Sequence, residues 1–170
     1  MSFGIRAQGL SVFGASGQRP IIQGIDVTIQ PGNLVGIIGK SGAGKSTLLR
    51  SLGVRLPDRR NGDSGELYLQ HDGRQTKVVP ANHEYLLHVM SFVPQGDLFV
   101  EELTVSETLF QACVYAGKAK DTIATRVGEL MAAVGLADEL KNKRIHHLSG
   151  GQTRRLSIAR ALACDPGILL

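Results

Sequence analysis

The amino-acid sequence predicts an α/β domain that is rich in strands first, rich in helices next and closed by a strand. Three observations favour this class. Short β-type segments separated by Gly, Pro and Asn turns fill the first third of the chain. The apolar periodicity becomes helical after Gln95. A glycine-rich loop at residues 39–46 stands between a strand-like apolar run and a helix-like run.

The first predicted elements are strands at residues 10–13 and 25–29. The sequence QPGN at residues 30–33 predicts a turn after the second of them. LVGIIG, at residues 34–39, is continuously apolar, as expected of a parallel strand that is buried on both faces. A helix that includes STLLRSL, residues 46–52, is expected to follow.

A β-hairpin and a further strand are predicted next. SGELYLQHDGRQTKVV, at residues 64–79, alternates and breaks at Asp72 and Gly73, a dipeptide that favours a hairpin turn. The overlapping PDRRNGDSG stretch, residues 57–65, is rich in turn formers and is expected on the surface. VMSFVP at residues 89–94 predicts another buried strand.

Two helices are predicted after the strands. Thr104 and Glu107 have the spacing of a capping box at the start of the first helix. Asp121 opens the second helix and Gly135 closes it. The apolar stripe of this second helix consists of Ile123, Val127, Leu130 and Val134.

The last predicted elements are a helix and a strand. The helix occupies residues 148–164 and ends before Pro166, because proline does not continue a helix. GILL, at residues 167–170, is therefore expected to begin another core strand.

Length and composition bound the class of protein. The chain has 170 residues, 42% of them hydrophobic, which is enough for one domain with its own core. The formal net charge of +4 is scattered, and with three Tyr and no Trp the chain offers few residues for base stacking. A phosphate-bearing small ligand or a polar partner explains this charge as well as a nucleic acid does, and no nucleic-acid partner is expected. Cys113 and Cys164 lack metal-ligand spacing. The N-terminus lacks the apolar segment of a signal peptide, and a cytoplasmic location is expected. No apolar run approaches the roughly 20 residues of a membrane-spanning helix.

The strongest chemical signal is GKSGAGKS at residues 39–46, which matches the phosphate-binding pattern GxxxxGK(S/T). Its glycines let consecutive backbone N–H groups turn toward a phosphate, and the positive end of the following helix faces the same anion. Lys45 supplies a cation for the β- and γ-phosphates, and the Ser46 hydroxyl can bind Mg²⁺. The alternative is a glycine-rich turn with a solvated lysine. The motif alone leaves kinases, GTPases and ATPases open.

A second glycine-rich sequence opens the last predicted helix. In HLSGGQTRRLSIARAL, residues 147–162, Ser149 and Gln152 have the spacing of a capping box. A glycine in a helix costs up to ~1 kcal/mol relative to alanine, so Gly150 and Gly151 need a reason. Close approach of the backbone to a phosphate is one such reason. A capped helix with incidental glycines is the alternative.

These motifs, in this order and at this spacing, resemble the ATP-binding cassette (ABC) family. The family's hallmark LSGGQ stands at residues 148–152. FVPQGDLF around Gln95 is similar to the family's Q-loop, and ELTVSETL at residues 102–109 is similar to the stretch that follows it. RRLSIARAL, followed by Asp165 and Pro166, is similar to the signature helix and its exit. The resemblance covers nearly the whole chain.

The resemblance implies a P-loop NTPase (RecA-like) core with an antiparallel β subdomain and an α-helical signature subdomain. It divides the chain into the P-loop core with the β subdomain at residues 1–94, the Q-loop and helical subdomain at residues 95–164, and the start of the Walker B strand at residues 165–170. The chain stops before the family's Walker B Asp and catalytic Glu. An incomplete domain, truncated naturally or part of a longer protein, is therefore expected, which binds nucleotide without turnover by itself.

For the site, the resemblance implies that two such domains enclose two ATP molecules head to tail. The signature loop of each copy then contacts the γ-phosphate bound to the P-loop of the other. Lys45, Gln95 and Ser149 are the catalytic candidates, and Ser46 and Gln95 are the candidates for Mg²⁺. The nucleotide-binding candidates are Phe13, Gly39, Lys40, Ser41, Gly42, Ala43, Gly44, Lys45, Ser46, Thr47, Gly150, Gly151 and Gln152.

Two of the assignments have alternatives. Phe13 falls where the family has an adenine-stacking aromatic, more often Tyr, and it should point away from the strand face shared by Leu10 and Val12. An ordinary packed phenylalanine is the alternative. Arg154 and Arg155 lie where an ATP-bearing partner would dock, and they resemble the arginine pair of G-subfamily, exporter-type cassettes.

The function that the resemblance implies is that of an ATP hydrolase domain driving solute transport across a membrane. ATP and Mg²⁺ are the implied cofactors. A second ABC nucleotide-binding domain and a transmembrane domain or subunit are the implied partners, which would hold the chain at the cytoplasmic face of a membrane. The alternative is a soluble ABC-type ATPase of DNA repair or translation, which usually carries coiled-coil insertions or a second cassette.

Overall fold

The computed structural model describes residues 3–14, 19–53, 62–79, 85, 88–96 and 99–170. The chain divides into two compact units, Met1–Met90 with Leu170 and Ser91–Leu169. The three-part division with borders after residues 94 and 164 stays a prediction.

An antiparallel sheet of four strands lies in the first unit. Its strands are β1 (Phe3–Phe13), β2 (Pro20–Ile29), β3 (Ser64–His71) and β4 (Arg74–Lys77), in the order β2-β1-β3-β4. Helix α1 (Lys45–Gly53) follows β2 in sequence. The first two predicted strands and the first predicted helix are confirmed, and both strands begin earlier than their apolar patterns predict.

Two of the predicted turns are confirmed. Between β3 and β4, Asp72 and Gly73 have φ values of +48° and +73°, the left-handed pair that a two-residue hairpin turn requires. After β2, the Asn33 N–H donates a hydrogen bond to the Gln30 carbonyl oxygen at 3.2 Å. Gly32 completes this second turn with a φ of +80°. The turns form here because these residue types tolerate positive φ.

Strand β1 is irregular before its end. The register between β1 and β2 shifts three times between residues 7 and 13. Gly9, at a φ of +58°, donates its N–H to Asp26 Oδ1 at 2.8 Å. Beyond this bulge residues 10–12 are all buried, while Phe13 is half-buried. A bulge changes which face successive side chains take, so burial does not decide whether Phe13 points away from Leu10 and Val12, and that expectation stays a prediction.

The prediction of a buried strand at residues 34–39 is wrong. This segment has no regular secondary structure, and Leu34 and Ile38 are almost fully exposed, at 101% and 96%. A strand that is apolar on both faces needs neighbours that pair with its N–H and C=O groups. Among the residues that the structure describes, no strand pairs with this segment, so its apolar pattern has no ladder to join.

The strand predicted at residues 89–94 is confirmed only over β5 (Met90–Ser91). The strand predicted in GILL is confirmed as β6 (Ile168–Leu169). The two strands pair with each other. Because β6 has only two residues, its pairing with β5 does not extend over the rest of the strand predicted at residues 89–94.

Three α-helices and two short 3₁₀ helices are found in the described second unit. The α-helices are α2 (Val105–Tyr115), α3 (Lys120–Ala133) and α4 (Gly150–Leu162), and the 3₁₀ helices are Asp138–Leu140 and Ile145–His147. The predicted helices are thus confirmed. Within the described ranges, no helix combines the length and the apolar character needed to cross a membrane.

These helices share one hydrophobic core. Three members of the predicted α3 stripe, Ile123, Val127 and Leu130, are buried. Gly135, with a φ of +67°, follows the end of this helix, as predicted. The core residues that α2 and α4 contribute include Val105, Leu109, Cys113, Leu156 and Ala159. Burial raises the pKa of the Cys113 thiol, so this cysteine behaves as an apolar core residue.

The predicted capping box closes the start of α2. The Thr104 N–H donates to Glu107 Oε2 at 2.8 Å, and the Glu107 N–H donates to Thr104 Oγ1 at 3.2 Å. The hydrogen bond from the Thr104 backbone lowers the pKa of Glu107. The contribution of this carboxylate to stability is therefore present above the ordinary glutamate pKa and is lost as the pH falls through the lowered pKa.

We expect Thr104→Ala to lower the free energy of unfolding by about 1 kcal/mol, because α2 loses its cap. The matched control is Thr125→Ala, which replaces an exposed threonine inside α3. Alanine is the better helix former there, so the control should cause no loss. Urea unfolding followed by circular dichroism measures both variants, and equal destabilisation would contradict the capping role.

Candidate functional site

The phosphate loop, residues 39–47, consists of an irregular turn at residues 39–44 and the first turn of α1. Gly42 and Gly44 have φ values of +79° and +86°, which lets the chain turn tightly. The Leu48 N–H donates to the Gly44 carbonyl oxygen at 2.8 Å, so helical hydrogen bonding begins inside the loop. The first N–H groups of a helix have no intrahelical acceptor, and the positive end of the helix dipole favours an anion. This geometry suits a phosphate.

Gly44 packs directly on β2. A Cβ atom at this position would lie 2.6 Å from Ile22 Cγ2 and 3.0 Å from the Ile21 carbonyl oxygen. The approach is too close for any side chain. In the sheet register, Ile22 pairs with Val12 and the next pair joins Phe13 to the start of β2. The loop and Phe13 therefore lie at the same end of the sheet.

The Lys45 side chain folds back over the loop. Its Nζ donates to the carbonyl oxygens of Gly39 at 2.9 Å and Lys40 at 2.7 Å. Both acceptors are neutral, whereas a phosphate would offer a charged one, and charge-assisted hydrogen bonds are roughly twice as strong. Ser46 is exposed in the first turn of α1. The predicted P-loop residues are thus brought together, with the ammonium beside the loop backbone.

Phe13 is held by a residue that the sequence analysis did not single out. Asp63 is 3% exposed, and its Oδ1 accepts a hydrogen bond from the Phe13 N–H at 2.7 Å. The expected surface position of the turn at residues 57–65 is therefore wrong for Asp63, and residues 57–61 of that turn lie outside the described residues. An acidic residue just before a predicted strand was the only sequence signal for this role. The signal does not identify the partner, because Phe13 is 50 positions away.

The signature segment, residues 148–152, starts α4 through the predicted capping box. The Ser149 N–H donates to Gln152 Oε1 at 2.9 Å, and the Gln152 N–H donates to Ser149 Oγ at 3.3 Å. The Thr153 N–H also bonds the Ser149 carbonyl oxygen at 2.9 Å. The side chain of Gln152 therefore has a structural partner inside the chain.

The glycine pair at the start of α4 has no steric reason within the described residues. A Cβ atom at Gly150 or Gly151 would meet nothing within 4 Å. Neither glycine is in the left-handed region. Both are exposed. In contrast to Gly44, they leave room for a side chain, so the capping box accounts for Ser149 but not for the two glycines.

The arginines after the signature segment bond to their own unit. Arg154 Nη1 donates to the Pro94 carbonyl oxygen, one residue before the exposed Gln95. Arg155 Nη1 donates to the Gly135 carbonyl oxygen at 3.0 Å. The first bond connects the signature helix to the segment of Gln95, and the second connects it to the end of α3.

Asp165, just after the other end of the signature helix, forms ion pairs with α3 and with the segment that precedes α3. The Asp165 carboxylate pairs with Lys118 and with Arg126. Arg126 also donates from Nη2 to the Leu162 carbonyl oxygen at 3.4 Å. Asp165 takes a φ of +49°, a conformation that aspartate tolerates better than most residues. Both ends of α4 are therefore anchored within the second unit.

A model of the ABC transporter family matches residues 22–170. The chain belongs to the ABC transporter family. This ABC chain is 34% identical over 155 residues to the lipoprotein-releasing system ATP-binding protein LolD 2 of Caulobacter vibrioides. The alignment covers 91% of the chain and 66% of the relative, so the chain spans just under two thirds of that protein's length.

The solved structures that resemble this chain include the following two proteins. The cbiO1 protein of Clostridium perfringens, described as part of the ABC transporter complex cbiONQ, has a TM-score of 0.78 at 26% identity, over 99% of this chain and 64% of its own. The ATP-binding cassette MJ0796, a dimer bound to ADP and Pi, has a TM-score of 0.76 at 26% identity, over 97% of this chain and 72% of its own. The predicted P-loop NTPase class of α/β fold is thereby confirmed.

The packing of Gly44 predicts that two glycines of the loop at residues 39–47 differ in how much their replacement destabilises the fold. We expect Gly44→Ala to lower the free energy of unfolding by roughly 1–3 kcal/mol more than Gly42→Ala, because a methyl group at Gly44 collides with β2. Gly42 is the matched control, since it shares the positive φ but would meet nothing within 4 Å. Urea unfolding gives both values. Equal losses would show that backbone strain alone sets the requirement for glycine.

Proposed function

We propose that this chain is the nucleotide-binding part of an ABC transporter and couples ATP binding and hydrolysis to solute transport across a membrane. The observation that carries the proposal is the loop at residues 39–47, which packs on β2 through Gly44 and places Lys45 at the start of α1. A solvated glycine-rich turn would not need this close approach. The proposal is therefore favoured over the alternative of an incidental loop.

ATP fits the loop by the chemistry of its donors. The N–H groups at the start of α1 and the Lys45 ammonium provide hydrogen bonds and positive charge for the triphosphate. The exposed Ser46 hydroxyl and the exposed Gln95 carboxamide are the oxygen ligands that we assign to Mg²⁺. When bound, Mg²⁺ neutralises charge on the β- and γ-phosphates. Phe13 is assigned to the adenine base.

The signature segment is proposed to act on the nucleotide of a second copy. Gly150 and Gly151 leave open space at a helix start, where the helix dipole and N–H groups suit a γ-phosphate. Ser149 is placed beside them as the cap. The dimeric MJ0796 structure, bound to ADP and Pi, supports an arrangement of two nucleotide-binding domains.

A membrane-embedded domain or subunit is proposed as the second partner, with the chain at the cytoplasmic face. The relatives support this, since one belongs to a lipoprotein-releasing system and another to an ABC transporter complex. Val100 and Tyr115 are exposed, at 59% and 89%. With Phe99 and Leu103 they line a groove of about 560 Å³ in the second unit, which suits an apolar segment of such a partner.

The alternative of a soluble ATPase in DNA repair or translation has no support from the three similar proteins named above.

By itself, the 170-residue chain is proposed to bind nucleotide without turning it over. The candidate segments at residues 39–47, 94–96 and 148–152 contain no carboxylate. Hydrolysis needs a group that accepts a proton from the attacking water, and its loss costs about 10²-fold or more.

The Lys45 ammonium is the direct test of the nucleotide site. In the intact protein, we expect Lys45→Ala to weaken ATP binding by about 10²-fold, because a charge-assisted contact to the phosphates is lost. Arg50→Ala is the control, since it removes an exposed cation from the last turn of α1. Titration calorimetry and phosphate release measure the effect. Normal ATPase activity of Lys45→Ala would overturn the P-loop assignment.

The phosphate-release assay also tests residues 1–170 alone. Their turnover should be no higher than that of a Lys45→Ala control, and a clearly higher turnover would reveal a base within them.

If the signature segment acts in trans, a substitution there should leave ATP binding by the monomer intact but prevent dimerisation and hydrolysis. In the intact protein, we expect Gly151→Asp to keep ATP binding in the dilute monomer and to lose dimerisation and hydrolysis, since the carboxylate would face the partner's γ-phosphate. Gly128→Asp in α3, where a Cβ also meets nothing within 4 Å, controls for the added charge. Sedimentation and phosphate release provide the measurements. Loss of ATP binding by the Gly151→Asp monomer would place the segment in cis.

A further inference from the structure

Asp63 is a buried carboxylate that none of the proposed roles uses. It is 3% exposed, and its Oδ1 accepts the Phe13 N–H at 2.7 Å. A buried charge is costly unless it accepts hydrogen bonds, and bonds to a charged acceptor are the strong ones. The end of β1 is therefore fixed by the side chain that precedes β3, in addition to its pairing with β2.

The residue before Asp63 contacts the ring of the same phenylalanine. A Cβ atom at Gly62 would lie 3.5 to 3.8 Å from three ring atoms of Phe13, so this backbone lies against the ring. Gly62 has a φ of +86°, which favours glycine. Residues 62 and 63 together hold both the backbone and the ring of Phe13.

Phe13 stands at the end of the sheet where the phosphate loop packs. It pairs with Pro20, and the next two residues of β2, Ile21 and Ile22, contact Gly44. The phenylalanine is half-buried, so part of its ring remains accessible. A ring in this place is suited to contact the base of a nucleotide whose phosphates occupy the loop.

We propose that Asp63 is a positioning residue for the base of the bound nucleotide. It holds Phe13 in place, so that the ring is ordered before the base stacks on it. This inference rests on the proposed function, in which residues 39–47 bind the phosphates and Phe13 stacks on adenine. A ring that is already fixed loses less conformational entropy on binding, and stacking depends on its placement. Asp63 itself does not contact the nucleotide.

The test compares two ligands that share phosphates and differ in the base. Titration calorimetry on the intact protein gives dissociation constants for Mg-ATP and for Mg-tripolyphosphate. The variants are Asp63→Ala, Phe13→Ala and the double variant. Asp26→Ala is the matched control, because Asp26 also accepts a β1 backbone N–H, that of Gly9 at 2.8 Å, away from Phe13.

Asp63→Ala is expected to weaken Mg-ATP binding roughly 5- to 10-fold, part of the loss that removal of an aromatic platform causes. Binding of Mg-tripolyphosphate should not change. Added to Phe13→Ala, the Asp63 substitution should have no further effect, because both act through one ring. Asp63→Asn retains an acceptor oxygen and should restore ATP binding to within about 2-fold. Asp26→Ala should affect neither ligand.

Folding of each variant is checked by circular dichroism. If Asp63→Ala does not fold, Asp63→Ser replaces it, since the serine hydroxyl ends one bond short of the carboxylate oxygen. The same loss of ATP binding without loss of tripolyphosphate binding is expected from Asp63→Ser.

Equal weakening of both ligands, weakening of neither, or full additivity with Phe13→Ala would overturn the role of Asp63. Failure of the underlying function looks different. A wild-type protein that binds neither ligand refutes the phosphate loop, and one that binds both equally refutes base stacking; either result also removes the role of Asp63. If wild type prefers ATP, and Phe13→Ala abolishes that preference while Asp63→Ala keeps it, the role of Asp63 alone fails.

Discussion

The contact of Gly44 with β2 is the constraint on which the candidate nucleotide site depends. Because a Cβ atom would lie 2.6 Å from Ile22, the loop is held against the sheet at a distance that only a glycine backbone permits. The helix that begins at Lys45 therefore starts next to the end of β1 and the start of β2. This packing contact sets the position of the loop N–H groups and of Lys45 relative to the end of β1, where Asp63 and Gly62 hold Phe13.

Features whose partners are close in sequence were predictable, and features with distant partners were not. The capping boxes of Thr104 and Ser149 join residues three positions apart, and the Asp72 turn depends on its neighbour, so the local sequence determines them. Residues 34–39 are different, since a strand forms only where other strands pair with it. Asp63 is different as well, because its partner Phe13 is 50 positions away. The loop and signature motifs were found because short motifs carry their chemistry locally.

The glycines of the two motifs differ in what requires them. Gly44 is required by a contact inside the chain, so its replacement is a matter of stability first. Gly150 and Gly151 have no such contact within the described residues, and their helix is nevertheless anchored at both ends by side chains such as Arg155 and Asp165. A firmly held helix with open space around its first residues suits the binding of an anion from outside the chain.

The exposed start of α4 has a consequence for the way in which nucleotide affinity depends on concentration. If the signature segment acts in trans as proposed, a nucleotide site that one copy forms and the glycine pair of another completes obeys mass action in both the nucleotide and the protein. Its apparent affinity then rises with the amount of protein, and occupancy climbs more steeply than for a site built from a single chain. Dilute and concentrated solutions of the protein would then reach half-saturation at different nucleotide concentrations.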